Sequence, residues 1–88
     1  MYRIEFIMYK DTVTERTDED SLARKGRIID EPFVLHKGVC MCAEYVKDAD
    51  GNNLHGKMLQ TSTVEKITEN PKCLVVTTLN STYVLEKL

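Results

Sequence analysis

The chain has 88 residues, 42% hydrophobic and 30% charged, enough apolar material for a single domain, residues 1–88, with a well-solvated surface. Its 14 acids and 12 bases leave a formal charge of −2, which excludes the basic footprint of a sequence-independent DNA binder and the strong acidity of a DNA mimic. No apolar run reaches the roughly 18 residues of a membrane span and no secretory leader pattern is present, so a cytoplasmic protein with no membrane contact is expected.

Tyr2, Ile4, Phe6 and Met8 alternate with Arg3, Glu5, Ile7 and Tyr9, a period of two that predicts an opening strand with the first set on its core face. Lys10 to Thr17 is polar and aperiodic, and reads as loop. Thr17, Asp18, Glu19 and Asp20 then supply an N-cap candidate and first-turn acids, while Arg24, Lys25 and Gly26 supply last-turn cations and a stop. These predict a helix of about two turns over Asp18–Lys25, too short to hold without packing.

Arg27–Asp30 is expected to run extended. Pro32 restricts Glu31 to extended geometry and is expected to start a strand through Phe33, Val34, Leu35 and His36, ended by a Lys37-Gly38 turn. Val39–Lys47 alternates cleanly, with Val39, Met41, Ala43 and Tyr45 on one face and Cys40, Cys42, Glu44 and Val46 on the other. Asp48-Ala49-Asp50-Gly51-Asn52 is a turn cluster, and Leu54–Gln60 resumes extended chain to make a hairpin. The grouping is not a calcium loop, since the glycine stands fourth and Leu59 occupies the place of the bidentate glutamate.

Between Lys57 and Thr68 the apolar parity changes, with Met58 and Val64 on one face and Leu59 and Ile67 on the other. A bulge or bend near Thr61-Ser62 reconciles them. Asn70-Pro71 turns the chain, and Cys73–Leu79 and Thr82–Leu88 flank a second turn at Asn80-Ser81. The fold expected is mainly β: a small curled antiparallel sheet or barrel of about six strands with one short helix.

Candidate chemistry is sparse. Cys40, Cys42, His36 and His55 are the one set that a metal such as zinc would use, but the two cysteines lack the spacing of common structural sites. Small hydrophobic roles on one sheet face are the simpler reading of the thiols. Three cysteines, an odd number with Cys73, point to reduced thiols rather than a disulfide framework. No nucleophile elbow, glycine-rich phosphate loop or oriented Cys/His pair occurs, so neither catalysis nor a cofactor is expected. Arg24, Lys25 and Arg27 form the only basic cluster. Complementary ends of one helix dipole explain them with no ligand, and an anion contact is the functional reading. Tyr2, Tyr9, Tyr45 and Tyr83 offer stacking platforms only where a basic stripe surrounds them, and otherwise belong to the core or an interface.

Gly56-Lys57-x-x-x-Thr61-Ser62-x-Val64-x-x-Ile67, followed by Thr77-Thr78-x-Asn80-Ser81-x-Tyr83-x-Leu85, resembles the ending of short proteins from bacteriophages and prophages. The resemblance covers the last third of the chain and carries no catalytic residue. It implies a phage-type accessory protein in the bacterial host cell, acting stoichiometrically on a macromolecule.

The expectation is therefore a non-catalytic protein-binding module whose partner is another protein or a second copy in a homodimer. Met1–Tyr9, with Ile7 and Tyr9 on its second face, would serve as an exposed edge strand for pairing. The alternatives are a small-ligand or nucleic-acid binder, an inhibitor or sponge in phage–host defence that uses Arg24, Lys25 and Arg27, and a Cys/His metal-binding domain.

Overall fold

The computed structural model describes residues 1–88. Six antiparallel strands, β1 (Tyr2–Tyr9), β2 (Ile28–Ile29), β3 (Cys40–Lys47), β4 (Met58–Glu69), β5 (Cys73–Thr78) and β6 (Ser81–Lys87), close into a barrel in chain order, with the helix α1 (Glu19–Arg24) between β1 and β2. Each strand lies beside the next, as short un-crossed connections favour, and β6 returns to pair with β1 from Tyr2↔Lys87 to Tyr9↔Ser81. The mainly-β barrel with one short helix expected from the patterning is the fold observed.

The interior is filled from every strand. Ile4, Ile29, Met41, Leu59, Val64, Val76 and Leu85 are almost completely sealed from solvent, with Tyr45 and Tyr83 beside them. In β3 the expected inward row Met41, Ala43 and Tyr45 is buried, while Val39, one residue before the strand, stays exposed. Cys42, on the opposite face, is buried as well, and its backbone pairs with Val34 along the edge of β3.

Bulges set which side chains point inward. In β1, Ile4 pairs with Leu85 but Phe6 pairs with Val84, so β1 spends one extra residue at Glu5. That insertion reverses the parity of the rest of the strand. Ile7 enters the core and Phe6 turns outward, correcting the expected inward row of Tyr2, Ile4, Phe6 and Met8. A bulge in β4 falls where the sequence asked for one: a step of two along β3, from Cys40 to Cys42, is matched by a step of three along β4, from Thr63 to Gln60. The Thr61 hydroxyl fills the gap, accepting from the Met41 N–H at 3.0 Å and donating to the Ser62 carbonyl at 2.8 Å.

Helix α1 is one residue shorter at each end than expected. Asp18 is the N-cap, its carboxylate accepting from the Ser21 N–H at 3.2 Å and from the Ser21 hydroxyl at 2.9 Å. Gly26 takes φ +87° and donates its N–H to the Ile4 carbonyl at 2.7 Å. A Cβ there would lie 2.9 Å from that of Ala49, so both the turn and the close approach require glycine.

Two further expectations are corrected. The segment after Pro32 is not a strand; it meets β3 only at the Val34↔Cys42 bridge before the Gly38 turn. β4 begins at Met58 rather than Leu54, because a further turn at His55-Gly56, with Gly56 at φ +90°, interrupts the extended chain. In the expected turn before it, the Asp48 carboxylate accepts from the N–H groups of Asp50 and Asn52, each at 2.9 Å. Those bonds, led by the one from Asn52, hold the Asp48 carboxyl below its usual pKa.

Candidate functional site

Arg24 sits in the last turn of α1, half-buried. Its guanidinium donates to the Tyr83 hydroxyl at 3.1 Å. Burial pushes the Tyr83 pKa up, and the nearby Arg24 charge and hydrogen bond work against that rise. Two depressions meet at Arg24 and Asp20.

The first is a polar cleft of about 260 Å³ between α1, the β4 bulge and the β5–β6 turn. Ser21, Thr61, Ser62, Thr78 and Ser81 supply hydroxyls, and the charged lining is Arg16, Arg24, Asp18 and Asp20, of which only Arg16 and Asp18 form an ion pair. Arg16 closes one side. Its Nε donates to Asp18 at 2.8 Å, while Nη1 donates to the Ser81 hydroxyl at 2.9 Å and the Asn80 carbonyl at 3.3 Å. The Arg16 hydrogen bond, with those from Ser21, lowers the Asp18 pKa to about 2. No buried side-chain polar atom in the structure lacks a partner.

The second is a groove of about 440 Å³ lined by Asp20, Ala23, Arg24, Arg27, Tyr45, Lys57 and Met58. Arg27 lies over the Tyr45 ring, 4.8 Å from its centroid. Arg24, Arg27 and Lys57 have no carboxylate within ion-pair distance. Three cations against the single carboxylate of Asp20, beside the half-exposed thioether of Met58, make a basic groove with an apolar wall.

A third depression, of about 350 Å³, has the opposite sign. Asp30, Glu31 and Glu44 surround Phe33, which is 61% exposed.

The residues singled out from the sequence are thus divided. Arg24 and Arg27 come together, whereas Lys25 turns away to an ion pair with Glu15 at 2.6 Å and sits 5.4 Å above the Phe6 ring. Ile7 is core, at 3% exposure, and leaves the surface set. Tyr9 stays exposed beneath the Arg16 guanidinium, 5.3 Å away, and so borders the polar cleft.

Nor is β1 a free edge. Beyond its pairing with β6 and β2, Ile4 bonds Arg27 and Gly26, Ile7 accepts from Arg16, and Tyr9 bonds Thr14 and Thr12. Tyr2, Tyr45 and Tyr83 are buried and offer no stacking face. His36 and His55 are exposed, and no three His, Cys, Asp or Glu side chains are grouped to hold a metal ion; of that candidate set only Cys40 and Cys42 are neighbours. Sequence reading missed Arg16, Asp20 and Lys57 as site residues. Arg16 and Lys57 stand in stretches without periodicity, and only the closure of the barrel brings Lys57 to Arg24 and Arg27.

No family model, curated protein or solved structure matches this chain. No helix is long and apolar enough to cross a membrane.

Proposed function

We propose that this barrel is a non-catalytic binding module whose working surface is the groove of Arg24, Arg27, Lys57 and Met58, and whose partner is a protein segment combining acidic and apolar side chains. The observation that carries this reading is the convergence of three cations without ion-pair partners beside an exposed thioether. A long nucleic acid fits less well. The chain is net acidic, the cations form a patch rather than a stripe, and the tyrosines that would stack on bases are buried or capped by arginine. The phage-like ending of the chain agrees with a stoichiometric accessory role.

The test uses a labelled peptide of sequence Asp-Glu-Pro-Phe-Val, which carries that mixture of groups, followed by fluorescence anisotropy. Lys57→Glu and Arg27→Gln are each expected to weaken binding about fivefold, the equivalent of about 1 kcal/mol for a partly exposed ion pair. Salt-sensitive binding of a single-stranded oligonucleotide with no peptide binding would reverse the assignment.

A second copy of the chain is a specific case of such a partner. Asp30, Glu31 and Phe33 present the required acidic and apolar groups on the same molecule, so self-association would run through side chains rather than through the paired backbone of β1. Sedimentation velocity over a dilution series is expected to show association that is stronger at low salt and lost in Lys57→Glu. A monomer at every concentration and salt would remove the second copy and leave a foreign protein.

A further inference from the structure

Cys40 and Cys42 stand on the same face of β3, with their sulfurs 3.7 Å apart. In a regular strand, side chains two residues apart leave the backbone roughly 6–7 Å from each other, so these thiols lean together. They do so opposite the β4 bulge, where the paired strands bend. The two thiols have unlike surroundings. Cys40 is half-buried and its sulfur accepts from the Gln60 amide at 3.6 Å, whereas Cys42 is buried.

We propose that Cys40 and Cys42 form a reversible dithiol–disulfide site, closed by exchange with a low-molecular-weight disulfide of the glutathione type. The Cys40 thiolate attacks one sulfur of that disulfide; its S–S bond breaks, and the first glutathione leaves as thiolate and takes up the proton that Cys40 released. The Cys42 thiolate then attacks the Cys40 sulfur and expels the second glutathione, which takes up the proton from Cys42. Two protein thiols are oxidised to one disulfide, and one glutathione disulfide is reduced to two thiols.

The order follows from access and acidity. Cys40 is the more exposed sulfur, and burial, with the neighbouring Cys40 as a second cause, raises the Cys42 pKa. Bond formation requires the sulfurs to approach to about 2.05 Å, and bridging two positions of one strand strains the geometry, which makes the bond easy to reduce. A labile, responsive bond is expected rather than a structural one. Met41, between the cysteines, is tied to Thr61 in the wall of the polar cleft.

The full-length chain is equilibrated with graded ratios of reduced and oxidised glutathione, acid-quenched, alkylated with iodoacetamide and read by intact and peptide mass. The expected result is joint loss of alkylation at Cys40 and Cys42 with no glutathione retained, while Cys73, held apart by its contact with Asn70, remains alkylated. Cys42→Ser is expected to retain one glutathione on Cys40, a trapped intermediate that a purely structural role would not give. Should that variant fail to fold by circular dichroism, Cys40→Ser decides: Cys42 must then keep its alkylation at every ratio. Independent loss of the two thiols, or a glutathione adduct persisting on Cys40 in the unsubstituted chain, would overturn the proposal.

Discussion

Asp18 shows how one side chain serves two structures. It caps α1 through Ser21 and pairs with Arg16, which in turn holds the β5–β6 turn through Ser81 and Asn80. Its folded pKa of about 2 lies well below the usual aspartate range. The group therefore contributes stability that is complete above the unfolded value and is lost as pH falls through about 4 towards about 2. Urea denaturation over that range is expected to show a loss of stability that is smaller in Asp18→Asn; equal pH slopes in the two proteins would contradict the assignment. The cap was legible in the sequence, because an aspartate followed by acids and a helical stretch is a local signal. The Arg16 partner was not, since it lies in aperiodic loop and its other contacts are 64 and 65 residues away.

Among the elements, the bulges matter more than the strands they interrupt. Thr61 accommodates the bulge in β4 by accepting from the buried Met41 N–H. Thr61→Val keeps the shape and removes the acceptor, so a loss of about 1–3 kcal/mol is expected in chemical denaturation, with Thr61→Ser closer to the parent. Equal stability of the valine and serine variants would show that the hydroxyl is dispensable. This bulge was readable from parity, because Leu59 and Val64 could not otherwise share an interior face. The bulge at Glu5 was not, because Tyr2, Ile4, Phe6 and Met8 alternate without a break. Its position is imposed by β6: Val84 stands opposite Phe6, and the barrel takes Ile7 inward. With Ile7 buried and the far side of β1 already bonded, the opening strand ceases to be an adhesive edge, and the binding surface proposed above lies instead around Arg24.

At the scale of the whole molecule, β1 and β6 close the ring from opposite ends of the chain, so the core depends on contacts distant in sequence. Leu85 is fully buried and pairs with Leu74 on one side and Ile4 on the other. Leu85→Ala is expected to cost about 2–5 kcal/mol. That is a large share of the roughly 5–15 kcal/mol available to an ordinary domain, and a chain this small has little excess buried surface to absorb it. Thermal and urea unfolding followed by circular dichroism measure the loss, and an unchanged midpoint would mean that the terminal strands do not share one core.

By itself the sequence determined the elements that local rules govern: strand alternation in β3, the short helix α1, the turn at Asp48–Asn52, the bend at Thr61-Ser62 and a turn between the last two strands, which the structure places at Leu79-Asn80 rather than Asn80-Ser81. From these the small mainly-β barrel followed, because short turns between amphipathic strands leave few ways to bury one face. The tertiary structure alone decided what gathers around Arg24. Arg24 and Arg27 were visible as a cluster, yet whether they join Lys57, whether Lys25 turns away, and how close two thiols on one strand come to each other depend on strand register and coiling. Register is fixed by the summed packing of all six strands, and no short stretch of chain encodes it alone.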